Sequence, residues 1–194
     1  MRTRRKIMSN MILLCQFLRS LNNFHGVMGV LAGLSSAAVT RLKYTLRDLP
    51  ARFRKMQADI ETEMSSLGSF RTYRASLRAA TGPVIPFMGV ILSDLTFIED
   101  GNPNFTPDGL INWTKRALLY NILSAFLEFQ RVCQYDVPDP AHKAAIVADL
   151  EAHQSTPTLL YKMSLELEPR DALPPEMTSE KVSFLGAIKR FAMG

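Results

Sequence analysis

The chain has 194 residues, 47% of them hydrophobic and 21% charged, with a formal charge of +5 at neutral pH. That length buries one substantial core, and that composition is ordinary globular usage, which excludes wholesale disorder, a collagen-like repeat and a disulfide scaffold. The basic balance, with a pI near 9.4, suits acidic partners such as a protein surface, an anionic membrane leaflet or nucleic acid, without choosing among them.

Ile7, Met11, Leu14, Leu18 and Leu21 recur at spacings of four and three, which predicts one apolar stripe along a helix. Arg2, Arg4, Arg5 and Lys6 precede an apolar run over residues 12–18, the order of a secretory leader. Gln16 interrupts that run, no small-residue cleavage site follows it, and it is shorter than the roughly 20 apolar residues that span a bilayer. Cys15 and Cys133 lie in apolar helical patterns, as reduced, buried thiols of a cytoplasmic protein would.

Residues 27–39 mix Gly, Ala and Ser with aliphatics, which predicts a central helix buried on most sides. Leu42 and Leu46 continue a helical stripe to Pro50, where a kink or a new helix is expected, and Phe53, Met56, Ile60 and Met64 resume it. Gly68 is expected to close that helix in a left-handed conformation and Ser69 to cap the next, whose stripe is Phe70, Tyr73, Leu77 and Ala80.

Pro83 and Pro86 break regularity, and a helix apolar nearly all round follows from near Phe87 until Asp100-Gly101-Asn102-Pro103 forces a turn. A long helix from about Leu110 to Val132 comes next. Asp139-Pro140 and Thr156-Pro157 each place a capping side chain before a proline, so two short helices start there, and Glu168-Pro169 ends the second. Beyond Asp171, Leu173-Pro174-Pro175 interrupts regular structure, so residues 172–194 read as a tail that packs little, with room for a short amphipathic helix over residues 184–191. No stretch alternates with a period of two over a strand's length, so the expected fold is all-α.

Covalent catalysis has no visible machinery: no Gly-rich phosphate loop with a Lys, no Cys pair at zinc spacing, no His beside a nucleophile. His142 and His153 share a helix face but stand about 16 Å apart, too far for one metal, so both read as solvated. His25 reads as a core or interface histidine. Neither a metal nor a cofactor is expected. Arg41, Lys43, Arg47, Arg52, Arg54 and Lys55 form a solvated basic face with no base-reading motif, so nucleic acid is not the expected partner.

Four segments, in order, carry a resemblance. They are Leu21-Asn22-Asn23-Phe24; Gly33-Leu34-Ser35-Ser36 running into Arg41-Leu42; Pro86-Phe87-Met88-Gly89 through Asp94-Leu95-Thr96-Phe97-Ile98-Glu99-Asp100-Gly101-Asn102-Pro103; and Leu110-Ile111-Asn112-Trp113-Thr114-Lys115-Arg116. With the run from Tyr161 through Glu168-Pro169-Arg170, they make the chain resemble the catalytic domain of Ras-family guanine-nucleotide exchange factors. The resemblance implies an orthogonal helical domain whose protruding antiparallel hairpin, matching residues 87–132, displaces switch I of a small GTPase. Periodicity alone would favour a hairpin buried in the core.

By the same resemblance, Thr96 and Asp100 face the magnesium and phosphate region of the GTPase and act in catalysis with Asn102, and Phe87 and Glu99 are GTPase-binding residues. Asn102 and Pro103 set the bend, and Phe87 braces the hairpin on the body. Asn22, Asn23, Phe70 and Tyr73 match positions near the surface that holds switch II, and each is also open to a packing role. Some members of that family carry a larger apolar residue where Thr96 stands and Glu where Asp100 stands, so this version reaches less far. Residues 1–171 read as a partial catalytic domain, because only about twenty residues precede the first motif. The implied partner is a Ras- or Rap-type GTPase in the cytoplasm, with recruitment to an anionic plasma membrane compatible with the charge. The expected activity is GDP release without covalent chemistry. The alternative is a non-catalytic GTPase-binding module of the same fold.

Overall fold

In a computed structural model of the chain, residues 2–132, 134–135 and 139–170 are described. Among them the order is α1 (Arg2–Ser20), α2 (Phe24–Leu34), α3 (Ala37–Thr40), α4 (Lys43–Arg47), α5 (Ala51–Glu63), α6 (Leu67–Ala79), α7 (Met88–Gly101), α8 (Trp113–Val132), α9 (Pro140–Ala152) and α10 (Pro157–Leu167). Backbone pairing of β type among these residues is confined to two isolated contacts, Asn23 with Ile85 and Phe105 with Ile111. The fold is all-α, as the sequence predicts.

The core forms where α1 packs against α2 and α5. Met8, Ile12 and Cys15 of α1 meet Phe24, Val27, Leu31 and Leu34 of α2 and Phe53 and Ile60 of α5, and Tyr73, Val84 and Val90 extend the cluster. The covered face of α1 is therefore rotated from the expected stripe: Met11 and Leu18 are partly buried, but Ile7, Leu14 and Leu21 are exposed, Ile7 by 53%. The cause is that α1 is apolar on two sides. The short turn into α2 and the Arg19–Glu63 ion pair to α5, at 2.7 Å, select which side is covered.

The small-residue segment is also not a single enveloped helix. It divides into α2 and α3, and α2 buries one stripe while side chains added at Gly29 and Gly33 would meet open space. Pro50 behaves as expected, standing as the cap of α5 while its carbonyl accepts from the Phe53 and Arg54 amides. The next junction differs. α5 ends at Glu63, and Gly68, Ser69 and Phe70 are left-handed in succession, with φ of 60°, 56° and 60°. The left-handed glycine was legible; its two strained followers were not.

Asp139 and Thr156 cap α9 and α10 through Ala141 N and Leu159 N, as their Pro-linked positions predict, and His142 and His153 are exposed. The expectations for Cys133 and for the tail over residues 172–194 lie outside the described residues.

One carboxylate fastens the end of the described chain. The buried Glu168 side chain accepts from Thr45 N at 3.0 Å, Thr45 Oγ1 at 2.7 Å and Tyr44 N at 3.1 Å, and pairs with Arg4 at 3.3 Å. Arg41 returns the connection, donating to the carbonyls of Ser164 and Glu168. α10 is thereby held to the first turn of α4 and the start of α1. Because Glu168→Ala strands three donors, one of them a buried hydroxyl, it should cost about 2–4 kcal/mol in urea unfolding.

Burial pushes the Cys15 thiol up to about 11 from 9.0. A folded value above the unfolded one means that its contribution to stability is complete below pH 9 and is lost as pH rises toward 11. The urea midpoint should therefore fall over that window in the parent and much less in Cys15→Ala, and Ellman's reagent should label Cys15 only on unfolding.

Candidate functional site

The base of the site is the connector between α6 and α7. Its two prolines, Pro83 and Pro86, donate no backbone hydrogen bond, so its carbonyls need donors from elsewhere. Asn22 supplies them: its side-chain amide donates to Thr81 O at 3.0 Å and Pro83 O at 3.3 Å, and its own carbonyl accepts from Ile85 N at 3.0 Å. It does so with φ of 54°, a left-handed conformation that asparagine tolerates better than most residues. Asn23 is used locally, its Oδ1 accepting from Gly26 N at 2.8 Å to cap α2.

Tyr73 lies wholly within the core, and its hydroxyl oxygen accepts from Phe87 N at 2.8 Å. Burial, above all, raises its hydroxyl above the ordinary tyrosine range. Its ring meets Phe24 edge-on at 5.3 Å and Phe70 at 6.3 Å, and Phe70 in turn stands 6.3 Å from the half-buried Phe87. Phe87 lies so close over Gly89 that a Cβ added there would sit 2.4 Å from its ring and would push the ring aside. Arg74 then ties α6 to α7, donating to both carboxylate oxygens of Asp94 at 2.7 Å; that hydrogen bonding raises the Arg74 value.

At the far end, α7 runs through Asp100 and Gly101, and the connection to α8 occupies residues 102–112, shifted about three residues along the chain from the expected helix end near Ile98 and helix start near Leu110. The motif's asparagine completes the helix end: Asn102 Nδ2 donates to Ile98 O at 3.0 Å. Asn112 closes the connection from the other side, donating to Pro103 O at 2.9 Å and accepting from Lys115 N at 3.1 Å. Lys115, 1% exposed, reaches the carbonyl and the carboxylate of Glu99, at 3.0 and 2.9 Å.

Thr96 and Asp100, four residues apart, share an exposed face of α7, and the Thr96 hydroxyl donates back to Leu92 O at 3.0 Å. Nearby, α7 and α8 leave Phe97 and Trp113 73% and 72% exposed. At the base, Phe126 and Phe129 of α8 line a cavity of about 390 Å³ with Val84, Pro86 and Met88.

The predicted residues therefore fall into two groups. Asn22, Asn23, Phe70, Tyr73 and Phe87 gather at the base of α7; Thr96, Glu99, Asp100 and Asn102 stand toward its other end, about 20 Å along the helix. Sequence reasoning missed the Arg74–Asp94 tie, the burial of Lys115 and the closing role of Asn112. The cap spacing from Asn112 to Lys115 was a readable signal. The tie between α6 and α7 had none, since its partners are twenty residues apart with a proline-rich connector between them.

Residues 1–117 match the family described as RasGEF domain. The chain is 36% identical over 176 residues to Ras guanine nucleotide exchange factor K of Dictyostelium discoideum, covering 91% of this chain and 11% of that protein. It is 38% identical over 184 residues to Ras guanine nucleotide exchange factor A of the same organism, covering 88% and 30%. The mouse Ras-specific guanine nucleotide-releasing factor 2 is 32% identical over 157 residues, covering 78% and 13%. The chain thus spans less than a third of the length of each of these relatives.

Tyr73→Phe removes the acceptor for Phe87 N at the first residue before α7. It should lower stability by about 1–3 kcal/mol in urea unfolding and shift the near-ultraviolet circular dichroism of the aromatic cluster.

Proposed function

Because the chain belongs to the RasGEF domain family, we propose that it promotes GDP release from a Ras- or Rap-type small GTPase, with α7 and α8 entering the nucleotide site at switch I. The observation that carries this reading is the contrast along α7. One end is tied to the body through Asn22, Tyr73 and Arg74, while Thr96 and Asp100 stand exposed toward the other.

A carboxylate set against groups that normally hold phosphate competes electrostatically with the nucleotide, and a neighbouring side chain excludes the metal. Asp100 takes the first part and Thr96 the second. Glu99 and Asn102 keep this end in shape, through Lys115 and through the Ile98 carbonyl of α7. Asn22, Asn23, Phe70 and Phe87 border the region offered to switch II, and the buried Tyr73 acts on it through Phe87. No bond is made or broken: exchange factor and nucleotide bind the GTPase antagonistically, and the antagonism is reciprocal, so incoming nucleotide expels the factor.

A second reading, a module that binds a GTPase without releasing its nucleotide, draws on the Thr96 hydroxyl being turned back onto its own helix. Release of fluorescent GDP from Ras, Rap and Ral separates the two. Asp100→Ala should slow release about tenfold while changing stability by no more than about 0.5 kcal/mol, as for an exposed substitution. Phe87→Ala, at a half-buried brace, should instead cost about 2 kcal/mol and slow release through the orientation of α7. Unchanged release by Asp100→Ala would sink the wedge mechanism. Capture of nucleotide-free GTPase without faster release would establish the binding module.

A further inference from the structure

We propose that the end of the molecule where α1, α4 and α5 begin is a docking surface for the headgroups of an anionic phospholipid bilayer. The fold brings this surface together from separate stretches of chain. α1 and α5 run side by side in the same direction, since Arg5 near the start of α1 pairs with Asp48 just before α5, and Arg19 near the end of α1 pairs with Glu63 at the end of α5. The Glu168 clamp adds the close of α10 to the same end.

Residues 2–6, 41–55 and 164–170 together hold eleven Lys and Arg against three carboxylates, Asp48, Glu166 and Glu168. Two of those three are already paired, Asp48 with Arg5 and Glu168 with Arg4. The remaining described residues carry nine cations against eleven anions, so the positive charge of the chain is concentrated here. Arg4, Arg5 and Arg41 are engaged in holding the fold, but stability does not account for the rest, because basic residues in the first turns of α1 and α5, which hold no acid there, oppose the positive end of each helix dipole.

The partner's chemistry follows from what accompanies the charge. Arg41, Lys43 and Arg170 border a hollow of about 260 Å³ walled by Tyr44 and Pro169, a volume that admits a phosphorylated headgroup; the Glu168 carboxylate also lines it, but is already met by Arg4 and the Thr45 and Tyr44 donors. Ile7 stands exposed beside Lys6, an apolar side chain suited to the interfacial layer of a membrane. Two of the most exposed aromatic rings, Phe97 and Trp113, which could stack nucleic-acid bases, lie on α7 and α8 instead. The cations are spread over several elements rather than along one groove. Among the described residues no helix is long and apolar enough to cross a membrane. At 1.5 Å per residue, the far end of α1, with Asn22, lies about 28 Å from this surface.

The test is sedimentation of the full 194-residue chain with vesicles of phosphatidylcholine, with and without about 30% phosphatidylserine, at about 0.1 M salt. Each basic residue close to an anionic bilayer contributes about fivefold in affinity, so the triple variant Arg52→Glu, Arg54→Glu, Lys55→Glu should weaken binding by about 100-fold or more. The control triple Arg71→Glu, Arg78→Glu, Arg131→Glu, away from this end, should bind within about twofold of the parent. Because Arg52 lies over the Phe53 ring and Arg54 donates to Arg47 O, the double variant Lys6→Glu, Lys43→Glu, at exposed side chains, supplies the same comparison with the fold unaltered by circular dichroism. Equal binding to uncharged vesicles, equal loss in the control triple, or tighter capture of duplex RNA than of the anionic vesicles would each overturn the proposal. No GTPase enters the measurement, so its failure is separate from failure of the exchange reading.

Discussion

The orientation of α7 depends on how residues 80–87 are held to the turn between α1 and α2. A connector with two prolines lacks two donors, and its carbonyls would be poorly satisfied if it simply crossed the surface. Asn22 answers that need twice with one amide, while its backbone carbonyl accepts from Ile85 N and Tyr73 adds an acceptor for Phe87 N at the threshold of the helix. Three elements distant in sequence thus converge on a few polar groups. Each bond is modest on its own, about 1 kcal/mol net. Their joint effect is directional, because they set where α7 departs from the body.

The other end of α7 follows a different logic. Glu99 pairs with the buried Lys115, Asn102 donates to the Ile98 carbonyl, and Asn112 closes the connection to α8. Burying the Lys115 ammonium is tolerable because a carbonyl and a carboxylate meet it. With these groups occupied by the fold, Thr96 and Asp100 remain on the exposed face.

Much of this was legible in the residues, because some signals are local. Asp139-Pro140 and Thr156-Pro157 started helices because a cap and a proline need only their own neighbours, and Pro50 and the proline pair marked breaks for the same reason. Periodicity carries less. It showed that α1 has an apolar stripe but not which of its two stripes the rest of the chain would cover, and it could not distinguish small residues packed closely from small residues facing water at Gly29 and Gly33. At the site, Asn22 and Asn23 stood out within a motif. The partners of the Asn22 amide lie about sixty residues away, so the motif gave a place without the bonds.

The succession Gly68-Ser69-Phe70 has a consequence for handedness. An L-residue in the left-handed region is disfavoured by roughly 1–2 kcal/mol, yet Ser69 and Phe70 both occupy it, and Phe70 thereby sets its ring against Tyr73 and Phe87. For a mirror-image residue the same dihedral angles are the relaxed ones. The kinked first turn of α6 therefore places backbone chirality in tension with aromatic contact. If the chain there relaxed toward right-handed geometry, the Phe70 ring would withdraw from the base of α7, making a small change of local handedness into a change in how that helix is supported.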